Sequence, residues 1–144
     1  MPEKSSELAN LARIGKLAAE PGTPGEIKGL LTSGSERLTD SRNDSLALSS
    51  RFDLAYNAAH AFSLAALRWH GYRSDSRYLV FQSLPHTLGL PNGVWRVVAK
   101  AHEVRNVAEY EGHFDGDATM LRNLIEAAAA VRAAVVMLPP LPES

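Results

Sequence analysis

Residues 45–70, "SLALSSRFDLAYNAAHAFSLAALRWH", limit the fold more than any other stretch. The helical pattern is apolar nearly all round, and a helix of that kind is buried on most sides. It must be central, and the rest of the chain must supply enough helical surface to cover it. At 144 residues with 45% hydrophobic content the chain can do so as one domain, 1–144.

The remaining segments also read as helices. A first helix is expected over 5–19, capped by Ser5 or Ser6, with Leu8, Leu11, Ala12, Gly15 and Ala18 on one stripe. "PGTPG" (21–25) ends it. Ile27, Leu30, Leu31 and Leu38 hint at a short second helix, but Gly29, Gly34 and the serines weaken it, so 20–44 is expected as a mobile connection. Gly71 closes the long helix, and a further helix is expected from Ser74 or Asp75 to Pro85. Pro91 is placed to open a helix that stops at Gly112, and Asp117 to cap a last one running to about 138. Segments of alternating polarity are nearly absent. The expectation is an all-α, up-and-down bundle of four main helices plus shorter pieces.

The net charge of −1 argues against a nonspecific grip on nucleic acid. Between residues 60 and 110, however, six cations (Arg68, Arg73, Arg77, Arg96, Lys100 and Arg105) face three acids (Asp75, Glu103 and Glu109). This is either a local anion-binding surface or a solvated face. Cysteine is absent, which removes thiolate chemistry and disulfides. No His, Asp and Glu spacing suggests a metal site, no cofactor is implied, no apolar run could span a bilayer, and the N-terminus does not read as a signal peptide. The expected location is cytoplasmic.

Arg105 is the anomaly. With Val94 set at zero on a helix over 91–111, Val97, Val98, Ala101, Val104 and Ala108 form an apolar stripe, and Arg105 falls near its middle. A cation there needs a hydrogen-bonded partner, or the stripe must face a groove. On the long helix Asp53, Asn57 and His60 form a polar row at i, i+4 and i+7. Asp53 is the expected carboxylate for Arg105, met by a bidentate fork. Such a pair can be purely structural, fixing helix register, or part of a site. His102, one turn before Asn106, reads as a solvent-facing residue on a polar flank, His113 as a loop histidine without a role, and His60 as a satisfied core histidine.

"SRFDLAYNAAHAFSLAAL", the connecting "GYR" and the closing "RNVAEYEG" together resemble the HEPN superfamily (higher eukaryotes and prokaryotes nucleotide-binding domains) over most of 45–137. The resemblance implies a helical bundle, usually a homodimer, found beside nucleotidyltransferases and in toxin–antitoxin and defence systems. It also implies metal-independent ribonuclease chemistry in many members, through an arginine, a polar residue and a histidine four to six residues after the arginine. Arg105 and Asn106 match the start of that pattern, but Tyr110 stands where the histidine should be. Tyrosine, with a pKa of about 10, is a poor base at pH 7.

The resulting expectation is a dimeric nucleotide- or RNA-binding module, or a nucleotidyltransferase partner. Arg105, Asn106, Asp53, Asn57 and His60 would be its binding residues. A metal-independent endoribonuclease using Arg105 and Asn106 with His102 or Tyr110 is the alternative, and a purely structural dimerisation domain is a second one.

Overall fold

The computed structural model describes residues 6–142 and is a helical bundle. Its elements in chain order are α1 (Ser6–Arg13), β1 (Ala18–Ala19), α2 (Pro24–Ser41), α3 (Leu48–Trp69), β2 (Tyr72–Arg73), α4 (Arg77–Gln82), α5 (Leu84–Thr87), α6 (Asn92–Glu111) and α7 (Ala118–Val136). The four long helices are α2, α3, α6 and α7.

α3 is central, as its composition requires. Twelve of its twenty-two residues are buried, including Phe52, Tyr56, Phe62 and Leu67, and it packs against α2, α7, α4 and α6. Its alanines at 55, 58, 59, 65 and 66 are fully buried and let neighbouring helices approach closely. The main core joins α3 to Leu38 of α2, Phe81 and Leu84 of α4 and α5, Val98 and Val104 of α6, and Leu124 and Val131 of α7. A smaller cluster of Leu8, Leu17, Leu67 and Val80 seats α1 and the turn after it on the end of α3.

Residues 20–44 depart from expectation. In place of a mobile connection they contain α2, an eighteen-residue helix lying along α3. Its start is a capping arrangement: the Thr23 hydroxyl accepts from the Glu26 amide at 3.2 Å, with Pro24 in the first turn. Gly34, which weakened the helical reading, is there for contact, because a Cβ at this position would lie 2.6 Å from the Phe62 ring. The close approach of the two helices outweighs the propensity cost of glycine.

Three other boundaries shift. α1 ends at Arg13, where Gly15 adopts φ 81° and the amides of Lys16 and Leu17 bond back to the Leu11 carbonyl. Ser6 is already helical, and Ser5 lies outside the described residues. The helix expected from 74 or 75 to Pro85 is two short ones, capped by Ser76, with Pro85 in the first turn of α5. Proline therefore opens a helix here where it was expected to close one. The two-residue strands pair antiparallel, Ala18 with Arg73 and Ala19 with Tyr72. Gly71 follows α3 at φ 85°, Gly112 terminates α6 at φ 67°, and Asp117 caps α7 by accepting from the Met120 amide at 2.8 Å, all as read from sequence. Among the described residues no helix is long and apolar enough to cross a membrane.

Candidate functional site

The polar strips of α3 and α6 meet. Arg105 Nε donates to Asp53 Oδ1 at 2.9 Å, and one of its terminal amino groups donates to Glu109 Oε2 at 3.0 Å. The fork is thus divided between two carboxylates and is not bidentate on Asp53. Nor is the pair buried: the side chains of Arg105, Asp53 and Glu109 are 30%, 53% and 57% exposed. Arg105 lies at the edge of the α3–α6 seam with its guanidinium over the Tyr56 ring, 5.1 Å from the centroid. Partial burial pulls its pKa down, but the hydrogen bond and charge of Asp53, then Glu109, outweigh this and raise it.

Tyr56 is the hub that the sequence reading passed over. It is fully buried, and its hydroxyl lies 2.9 Å from His102 Nδ1. A second guanidinium, that of Arg77 on α4, lies 5.5 Å from its ring centroid. Burial raises the phenol pKa against the opposing pull of Arg77 and Arg105. Arg77 also donates to Asn57 Oδ1 at 2.9 Å, while Asn57 donates to the Asp53 carbonyl at 2.9 Å. Asn57 therefore links Asp53 to α4 and does not reach α6. Arg77 had been counted as a surplus cation, but only the fold of α4 reveals its place against Tyr56.

His102 is not the solvent-facing residue expected. Besides Tyr56, it meets Asn106, whose amide nitrogen is 3.1 Å from Nε2. With Asn106 donating there, the ring proton sits on Nδ1 and is donated to the Tyr56 oxygen. Burial first, then the charges of Arg77 and Arg105, lower the His102 pKa. His60 packs edge-on against Phe81, with ring centroids 5.9 Å apart. Burial, then Arg77 and His102, lower its pKa from 6.5 to about 4. The site thus offers two permanent cations, a protonated phenol and imidazoles held towards the neutral form.

Tyr110 does not join the cluster. It is 83% exposed and about 140° around the helix from Arg105. His113 lies in the loop after α6, its Nε2 2.6 Å from Asp115 Oδ1. Arg68, another of the surplus cations, is committed elsewhere. Its Nε lies 3.1 and 3.0 Å from the two Glu26 carboxylate oxygens, and its amino groups reach the carbonyls of Glu20, Pro21 and Tyr72 and the Glu20 carboxylate. Each nitrogen of the guanidinium has an acceptor, and the side chain is 5% exposed.

Beside the His102–Asn106 pair, along α6 and facing α4, runs an open groove of about 510 Å³ lined by Tyr78, Trp95, Arg96, Lys100, Glu103 and Asn106, among others. Tyr78 and Trp95 stand edge-to-face with centroids 6.4 Å apart, and Tyr78 lies 6.2 Å from the His102 ring. Lys100 pairs with Glu103 at 3.3 Å, whereas the Arg96 guanidinium has no hydrogen-bond or ion-pair partner among the described residues. Sequence reasoning missed both aromatics, although Trp95 and His102, seven residues apart on α6, share one face within the cation-rich stretch. Arg105 is not part of the groove wall. Among the described residues no group of three or more His, Asp or Glu is placed to hold a metal ion. No family model matches the chain, and neither the curated proteins nor the solved structures contain a match.

Proposed function

We propose that this chain is a HEPN-like homodimeric module that binds a nucleotide or a short single-stranded RNA in the α4–α6 groove without cleaving it. It would work in the cytoplasm beside a partner such as a nucleotidyltransferase, in a toxin–antitoxin or defence system. The observation that carries the reading is the composition of the groove: two aromatic rings, Tyr78 and Trp95, share one wall with Arg96, Lys100, His102 and Asn106. Unstacked bases are held on aromatic faces and their phosphates by nearby cations. Arg105 supports this surface from behind: its Nε and one amino group are held by Asp53 and Glu109, and its guanidinium braces Tyr56, which in turn holds His102.

The test is fluorescence anisotropy of a labelled single-stranded RNA in excess EDTA, with the RNA recovered and sized afterwards. The expected result is saturable, salt-sensitive binding with the RNA left intact. Trp95→Ala should weaken it by about 1–3 kcal/mol through lost stacking, and Arg96→Gln should lower the salt slope by about one phosphate contact. No binding at low salt, or full binding by Trp95→Ala, overturns the assignment. Sedimentation at micromolar concentration tests the dimer.

A second reading, metal-independent RNA cleavage, draws on one observation. A histidine held towards its neutral form stands 3.1 Å from Asn106, on the same helix as Arg105. Cleavage in EDTA that His102→Ala abolishes would favour it over binding alone.

A further inference from the structure

Arg132 interrupts the apolar run at the end of the chain, and the chemistry around Tyr56 makes no use of it. Between α2 and α7, Ser35, Leu38, Thr39, Arg42, Ala129 and Arg132 line a recess of about 220 Å³. Its wall carries two guanidiniums and two hydroxyls and no carboxylate. Arg132 Nε donates to Ser35 Oγ at 2.8 Å, a neutral partner that leaves the two amino groups of the fork open. Arg42, the residue that closes α2, has no side-chain hydrogen-bond or ion-pair partner among the described residues.

Both arginines stand near the C-terminal ends of their helices, where the helix dipole alone favours a cation. The dipole does not explain why both line one recess with Ser35 and Thr39. Nor does it explain why no carboxylate in that wall compensates them, whereas Arg68 and Arg105 each hold two. Two like charges facing one cavity repel, and a bound dianion removes that repulsion. Guanidinium forks match the oxygens of a phosphoryl group, and hydroxyls complete its hydrogen bonds.

We infer that the α2–α7 recess binds the phosphoryl group of a small phosphomonoester. Arg42 and Arg132 hold the dianion, Ser35 and Thr39 donate to its remaining oxygens, and the open side takes the ester.

The experiment titrates the intact chain with orthophosphate and, separately, with glycerol 3-phosphate at pH 7.5, where a monoester with a second pKa of about 6 is mostly dianionic. Calorimetry gives the affinity, and the arginine Nε–H resonances locate it. Both probes should bind saturably and shift the Arg42 and Arg132 signals. Arg42→Gln should weaken both by about tenfold or more, and Arg42→Lys by less. Because Arg42 has no internal partner, R42Q keeps the fold, which an unchanged melting temperature verifies. Orthophosphate binding without glycerol 3-phosphate binding overturns the ester assignment, and equal affinity in wild type and R42Q overturns the site. RNA binding in the α4–α6 groove should be the same in R42Q as in wild type, so failure there and failure here are separable. Loss of RNA binding in R42Q would overturn the assignment to a small ligand.

Discussion

Arg68 and Arg105 each hold two carboxylates at the margins of α3, and of these two Arg68 carries the stability and Arg105 does not. Arg68→Met removes a side chain that is 5% exposed and serves three backbone carbonyls and two carboxylates. Breaking a buried charged cluster from one side costs about 3–5 kcal/mol. Glu20 and Glu26, at 50% and 38% exposure, regain water when the cation leaves, which places the expected loss near the lower end, about 3 kcal/mol. That is a large share of the roughly 5–15 kcal/mol available to a domain and corresponds to a fall in Tm of about 6–12 °C. Asp53→Ala is the control. Had its pair with Arg105 been buried, it would cost about as much. At 53% and 30% exposure, with Glu109 still holding the guanidinium, it should cost less than about 1 kcal/mol. Urea melts of wild type and the two variants, followed by circular dichroism at constant salt, decide the matter. An Arg68→Met loss below 1 kcal/mol, or an Asp53→Ala loss of 3 kcal/mol, refutes the reasoning.

Three other outcomes are expected. Tyr110→His should not create RNA cleavage, because position 110 is 83% exposed and turned away from Arg105; new cleavage in EDTA would show that a second subunit brings it into the site. His60, neutral in the fold with its pKa lowered from 6.5 to about 4, takes up its proton more readily when unfolded. Its contribution is therefore complete above pH 6.5 and is lost as pH falls towards 4, by up to about 3 kcal/mol, and His60→Gln should flatten that part of the stability–pH curve in urea melts. Gly34→Ala should destabilise by about 1–3 kcal/mol, since its Cβ meets the Phe62 ring, whereas Gly29→Ala, with nothing within 4 Å, should stabilise by about 0.5–1 kcal/mol; equal shifts in Tm would show that Gly34 is not a contact position.

Periodicity and turn residues were sufficient for the parts of the fold that depend on one helix or on the facing of a pair. The burial of α3, the caps at Asp117 and Gly112, and the meeting of Asp53 with Arg105 were all legible. What depends on a third element was not. The depth of the Asp53–Arg105 contact depends on how far the α3–α6 seam opens to water. The partners of Tyr56 depend on α4, a six-residue helix too short to show a period. α2 was discounted for Gly29 and Gly34, although "TPGE" at 23–26 is a legible helix start. Propensity was weighed there as if the helix stood alone, and contact with Phe62 reverses the meaning of Gly34.

The central place of α3 also bears on synthesis. α2 precedes it and can cover one side at once, but α6 and α7 come afterwards, and α7 ends at Val136, 67 residues beyond Trp69. At roughly 5–20 residues per second, the ribosome needs about 3–13 s to supply the remaining cover. Through that interval the nascent chain presents the α3 surface that will later meet α6 and α7, with Phe52 and its buried alanines, to whatever else is near. That surface is where a holding chaperone would gain most by binding, and where crowded nascent chains would first associate.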